Sequence, residues 1–204
     1  MAKKGIVGIE AAIVLIAFVI VAAALAFVVI NMGMYTTQKS KEVMQQGLNE
    51  ATTALEVDGS VLGYGDNTNG ITYIYIPLKV SPGQLAVDFS NDKIDIVINL
   101  PDGAYSKIND NENPTPPSTT PVNLTQLQPT PGTTPVAEIY IIQGDSDYVL
   151  EPGEKFLVVI GLPAGLTQYE KFTVEIRPLQ GAPLIIERTI PPTLPETAGF
   201  VNLG

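Results

Sequence analysis

The sequence predicts an α+β protein in which one long N-terminal α-helix precedes an Ig-like antiparallel β-sandwich. Three observations carry that prediction. Residues 6–30 form an unbroken apolar run whose only charge is Glu10. No proline occurs before Pro77, so nothing strong breaks a helix in the first third of the chain. Beyond residue 60 the apolar period changes to two, in short runs of Ile, Val and Tyr bounded by Pro, Gly, Asn and Asp. The 204 residues suffice for one ordinary domain and an added element.

Lys3 and Lys4 make residues 1–5 a short basic segment ahead of the apolar run. The apolar run that follows spans about 37 Å as a helix, enough to cross a bilayer core of about 30 Å. Lysines ahead of the run keep the N-terminus cytoplasmic and send the rest outward. Ala24-Leu25-Ala26 has the small-x-small form of a signal-peptidase site, the bland alternative. Against it, Phe27 to Ile30 keep the segment apolar beyond the cut, past the roughly 7–15 residues such a region needs.

After Asn31 the apolar residues thin to a stripe. Met44, Leu48, Ala51 and Leu55 recur at spacings of four, three and four, the signature of an amphipathic helix. One helix is therefore expected over residues 6–58, bending at Gly33 and Gly47 and stopped by Asp58-Gly59.

The outer domain is expected over 59–204, with strands in TYIYIPLKV, QLAVDF, KIDIVINL, AEIYIIQG, KFLVVIGL, KFTVEIRPL and APLIIERTI. In the third of these, Ile94, Ile96 and Ile98 face one way while Asp95, Val97 and Asn99 face the other. Between the third and fourth lies a Pro/Thr-rich stretch, 111–135, expected as an exposed spacer loop of extended chain. It contains the sequon Asn123-Leu124-Thr125, which makes Asn123 the candidate for N-glycosylation; the threonines are O-linked candidates.

Composition removes whole classes of function. The formal net charge of −10 opposes nucleic-acid binding, which needs a basic surface. Neither cysteine nor histidine occurs, so disulfides, thiolate nucleophiles, common zinc sites and His-based catalysis are all absent. Paired carboxylates are cheap to find in an acidic chain and none has a marked spacing, so the chain is read as no enzyme. Asp145, Asp147, Glu151 and Glu154 fall within GDSDYVLEPGE, where oxygen ligands suit Ca²⁺. An EF-hand would need Gly at its sixth place and Glu at its twelfth, both missing here. The preferred reading is a turn through Pro152-Gly153 with no cofactor.

KKGIVGIEAAIVLIAFVIVAAALAFVVINMG resembles the N-terminus of archaellins, the filament subunits of the archaeal flagellum, whose leader and helix are shared with type IV pilins. The C-terminal RPLQGAPLIIERTIPPTLPETAGFVNLG resembles archaellin endings. The resemblance implies removal of a basic-Gly leader between Gly5 and Ile6 by a prepilin-peptidase-like enzyme. Gly8 falls at the third mature position and Glu10 at the fifth, where type IV pilins carry a glutamate. It further implies a β-sandwich outer domain, a homopolymer built through the helices, and a membrane motor and assembly platform as partners. The precursor sits transiently in the cytoplasmic membrane and the product is an extracellular filament used in swimming. Two alternatives stay open on sequence: a type IV-like adhesion pilin, and a membrane-anchored binding module that never polymerises.

Glu10 is costly in hydrocarbon, about 2.5 kcal/mol or more at mid-membrane. Counted from Ile6, however, it lies one turn from a new α-amino cation, its own or a neighbour's. The expectation is that Glu10 registers processed subunits; the alternative is that it marks the membrane boundary.

Overall fold

A computed structural model describes residues 3–52, 54–109, 114–116, 122–145 and 147–204, with the side chains of 3–7, 50 and 52 outside that description. The chain divides into two compact units, one ending at Leu48 and one spanning Asn49–Gly204.

The first unit is helix α1, Lys3–Thr52, continuous through Gly33 and Gly47. It stops short of residue 58. Leu55–Val57 instead forms strand β1, pairing antiparallel with Leu78–Val80 of strand β3, Gly70–Val80. The reason is tertiary. Leu55 is buried in the sandwich core and Glu56 stands opposite Lys79, so the strand pairing outweighs the helical pattern. The outer unit consequently starts ahead of residue 59.

The second unit is the expected sandwich with more strands. All seven predicted runs form strands: β3; β4, Val87–Asp88; β5, Ile94–Leu100; β7, Val136–Gln143; β9, Lys155–Leu166; β10, Lys171–Pro178; and β11, Leu184–Thr189. Five more were not foreseen: β1; β2, Leu62–Asp66; β6, Gly103–Tyr105; β8, Val149–Leu150; and β12, Gly199–Asn202. A six-stranded sheet runs β12-β2-β3-β9-β7 with β1 also on β3, and a four-stranded sheet runs β11-β10-β5-β6; β4 pairs with β8. Every strand pair is antiparallel.

The core lies between the two larger sheets. Ile74, Ile76, Phe156, Val158 and Ile160 from one meet Ile96, Ile98, Phe172, Val174 and Ile176 from the other. Each such side chain contributes roughly 1.5–3 kcal/mol by leaving water. Phe89 and Phe156 meet edge to face with centroids 5.3 Å apart.

The six-stranded sheet also buries part of its outer face, which explains why KFLVVIGL reads as a continuous apolar run and not an alternating one. Tyr75, Leu157 and Val159 point outward there and are covered by Leu127, with Val122, Leu124, Tyr140 and Ile142 packed around them. This corrects the expectation of a bare spacer at 111–135. Its described part is a strap: Pro114, Leu127, Pro129 and Pro135 are buried, and Thr115 bridges the edge of β7 at Tyr140. Tyr75 Oη donates to Leu124 O at 3.0 Å and accepts from Gln128 Nε2 at 3.3 Å. Burial pushes that phenol up to about 12.

Two glycines are required by close approach. At Gly70, φ is +77° and an added Cβ would come within 2.5 Å of Leu166 O; at Gly165 it would overlap Asn69 O. Both seat the β2–β3 hairpin against the end of β9.

Candidate functional site

The helix is the first candidate surface. Every described side chain from Gly8 to Leu48 is exposed, and Phe18 reaches 76%. Such a surface far exceeds the few hundred Å² of contiguous apolar area that a soluble monomer leaves open. Gly8–Asn49 is long and apolar enough to cross a membrane. Lipid or protein must complete it.

Its polar residues are arranged to suit dry surroundings. Thr36 Oγ1 donates to Met32 O and Thr37 Oγ1 to Gly33 O, each at 2.8 Å, so both hydroxyl protons are satisfied within the helix. Lys39 Nζ lies 2.6 Å from Glu42 Oε2, an exposed pair one turn apart.

The predicted assembly residues fall at the start of this surface. Glu10 is exposed, and a Cβ at Gly8 would meet nothing within 4 Å. Among the described residues, then, nothing packs against Gly8. Gly5 and Ile6 lie on the helical backbone of α1, but their side chains fall outside the described residues.

Asn123 caps a 3₁₀ turn, Leu124–Gln126. Its Oδ1 accepts from Thr125 N at 3.2 Å and from Thr125 Oγ1 at 2.7 Å. Both sequon side chains are exposed, on a strap anchored immediately afterwards by Leu127.

In the acidic turn it is Glu154, not Glu151, that joins Asp145 and Asp147, with one oxygen from each within 4.8 Å of the others. The cause is backbone capping. Glu154 Oε1 accepts from Asp145 N and Oε2 from Glu151 N, both at 3.0 Å; Asp145 Oδ1 accepts from Asp147 N at 3.1 Å and Asp147 Oδ1 from Val149 N at 2.8 Å. These acids build the turn. Gly153 has φ of +106° and Glu154 N donates to Glu151 O at 3.1 Å, as a type II turn through Pro152-Gly153 requires.

One ion-pair site escaped sequence reasoning. Asp58 joins Lys155 Nζ at 2.6 Å and Lys79 Nζ at 3.3 Å, pinning the entry of the chain to β3 and β9. The Lys155 hydrogen bond holds the Asp58 carboxyl below its ordinary range; burial opposes it, and the Lys79 hydrogen bond adds to the lowering. The sequence signal was Asp58 followed by two strands carrying Lys near their ends.

An apolar helix that its own fold does not cover, followed by a complete antiparallel sandwich, defines a structural subunit that is finished only by other molecules. Residues 5–188 match the archaeal-type flagellin family, and the chain belongs to that family. It is 53% identical over 207 residues to probable flagellin 1 of Aeropyrum pernix, a match covering 99% of this chain and 98% of that one. Probable flagellin 2 of Archaeoglobus fulgidus is 31% identical over 98% of this chain and 93% of its own. Among solved structures, the archaeal flagellum of Methanospirillum hungatei strain JF1 is 26% identical with a TM-score of 0.68, covering 96% of this chain and 98% of that one. Archaeal flagellin FlaB1 from Methanocaldococcus jannaschii, 17% identical with a TM-score of 0.57 over 74% of this chain and 96% of its own, shares the fold. The protein is a structural filament subunit of the archaeal flagellum, in a family of structural flagellins and not of enzymes.

Proposed function

We propose that the chain is made with a leader ending at Gly5, is cut before Ile6 by a prepilin-peptidase-like enzyme, and then polymerises through α1. The uncovered apolar surface of the helix carries this reading. Before assembly that surface rests in the cytoplasmic membrane; afterwards it packs against other copies, where Gly8 and the alanines Ala11, Ala12, Ala17 and Ala22 permit close approach. An interface that does not close on itself extends as an open helical fibre. A membrane motor and platform supply rotation, and the fibre swims the cell.

Glu10 and the Ile6 amine freed by cleavage pair within or between copies, so an uncut precursor lacks the cation that the acid needs. Asn123 takes an N-linked glycan on the exposed strap. The experiment is a Gly5→Val chain together with mass spectrometry of wild-type filaments. The variant should accumulate in the membrane without filaments, and the wild-type N-terminal peptide should begin at Ile6. Normal filaments from the variant, or a different first residue, overturn the assignment.

A further inference from the structure

The outer unit has a small groove, with apolar walls and the polar side chains of Asp88, Lys93 and Gln180 in its lining, at the end by which the chain enters it. β1 enters beside Val80, and the chain runs on from Val80 to Leu85 and Ala86, which form one wall. Pro178 and Leu179, leaving β10, form the other, with Leu179 N tied to Lys93 O at 2.7 Å. The groove holds about 210 Å³. Leu85 is 46% and Leu179 66% exposed, in a domain that buries most of its Leu and Ile, Ile185 being another exception.

The surroundings of the groove are acidic. Asp88 lines it together with Lys93, Asp92 lies just beyond, and the β4–β8 pairing brings the turn containing Asp145, Asp147 and Glu151 to the same end, where Lys79 and Lys155 are both drawn to Asp58. The helix offers the complement. Lys39 and Lys41 are the only basic residues between Lys4 and Lys79. Lys41, Met44 and Leu48 stand three and four residues apart on one face, with Met44 and Leu48 exposed.

We infer that this groove seats the Lys41, Met44 and Leu48 face of a second copy's helix. The inference rests on the reading that copies polymerise through α1. A fibre that grows without closing needs two different surfaces of one chain to meet, and here a groove walled by Leu85 and Leu179 in mainly acidic surroundings answers an exposed apolar helix face flanked by Lys41. Met44 enters between Leu85 and Leu179, and Lys41 reaches the acids of the rim.

The absence of cysteine makes the test direct. The Met44→Cys, Leu179→Cys double variant is grown into filaments, oxidised mildly, and run denatured without reductant. A ladder extending beyond dimer is the expected result, since each copy donates one thiol forward and one back. Filaments that yield only monomer, whether uncrosslinked or closed within one chain, overturn the groove assignment. Failure of the wild-type chain to polymerise would instead strike the assembly reading. Should the double variant itself not polymerise, Leu179→Asp is compared with Tyr169→Asp, an equally exposed position at the other end of β10. A lower dissociation temperature for the first alone supports the groove, and equal temperatures overturn it.

Discussion

Leu127→Ala tests whether the strap is a docked element with a stability of its own. Leu127 is 4% exposed against Tyr75, Leu157 and Val159. The substitution removes three carbons, worth about 2–3 kcal/mol of transfer free energy at ~0.8 kcal/mol each. The strap can settle into part of the space, so the cost belongs near the lower end of the usual ~2–5 kcal/mol for such truncations. If that energy falls on strap docking alone, local opening becomes about 30- to 150-fold more frequent. Amide exchange reads it at Gln126 and Leu127, whose N–H groups donate to Asn123 O and Leu124 O. Exchange at Val174, in the other sheet, should stay as in the wild type. Tyr75 supplies a second reading: its phenol, pushed up to about 12 by burial, should titrate closer to 10 when the strap opens. Equal acceleration at Val174 and Leu127, or none at either, would refute an independently docked strap.

Gly165→Ala should lower the melting temperature by about 6–12 °C, from a cost of about 3 kcal/mol, because the new methyl overlaps Asn69 O; calorimetry checks it, and an unchanged melt would deny the close approach. Asp58→Asn should destabilise the outer unit at neutral and mildly acid pH but not in strong acid. The folded carboxyl is held below its unfolded value near 3.9, so its contribution is present above that value and fades as pH falls through the depressed folded value. Wild-type and variant unfolding curves should therefore differ from pH 5 upward and merge at strongly acid pH. Glu10→Gln should yield fewer filaments, and filaments that dissociate at lower temperature, by electron microscopy and light scattering; full yield with normal stability would remove the registering role.

Elements with a clean period were legible in the sequence. Ile94, Ile96 and Ile98 alternate with less apolar neighbours and form β5; the 6–30 run forms helix. Strand β2 was not legible because LGYGD looks like a turn, and only the fold shows that Gly63 and Gly65 are small because Ile71, Leu203 and Gly70 crowd them. Leu55 fitted a helical stripe, yet pairing with Val80 and burial in the core outweighed the local pattern. The strap was hidden by its prolines, although Val122, Leu124 and Leu127 among them are the apolar anchors. Gly8 and Glu10 owe their proposed roles to the family resemblance; spacing alone would have left them as an odd glycine and an odd acid. Among the four acids of GDSDYVLEPGE, sequence could not tell which converge; the turn at Pro152-Gly153 brings Glu154, and not Glu151, to Asp145 and Asp147.

Thr36 and Thr37 give the helix a property beyond satisfied polarity. Since each hydroxyl proton is bonded to a carbonyl one turn back in the same helix, neither asks anything of its surroundings. The rod carries its own solvation through this stretch, and exchanging one apolar environment for another breaks no hydrogen bond there. A change of neighbours then costs only what the apolar contacts themselves differ by, which for hydrocarbon against hydrocarbon is small. On the route from membrane to filament proposed above, the threonines would make the transfer nearly reversible, and permanence would have to come from shape.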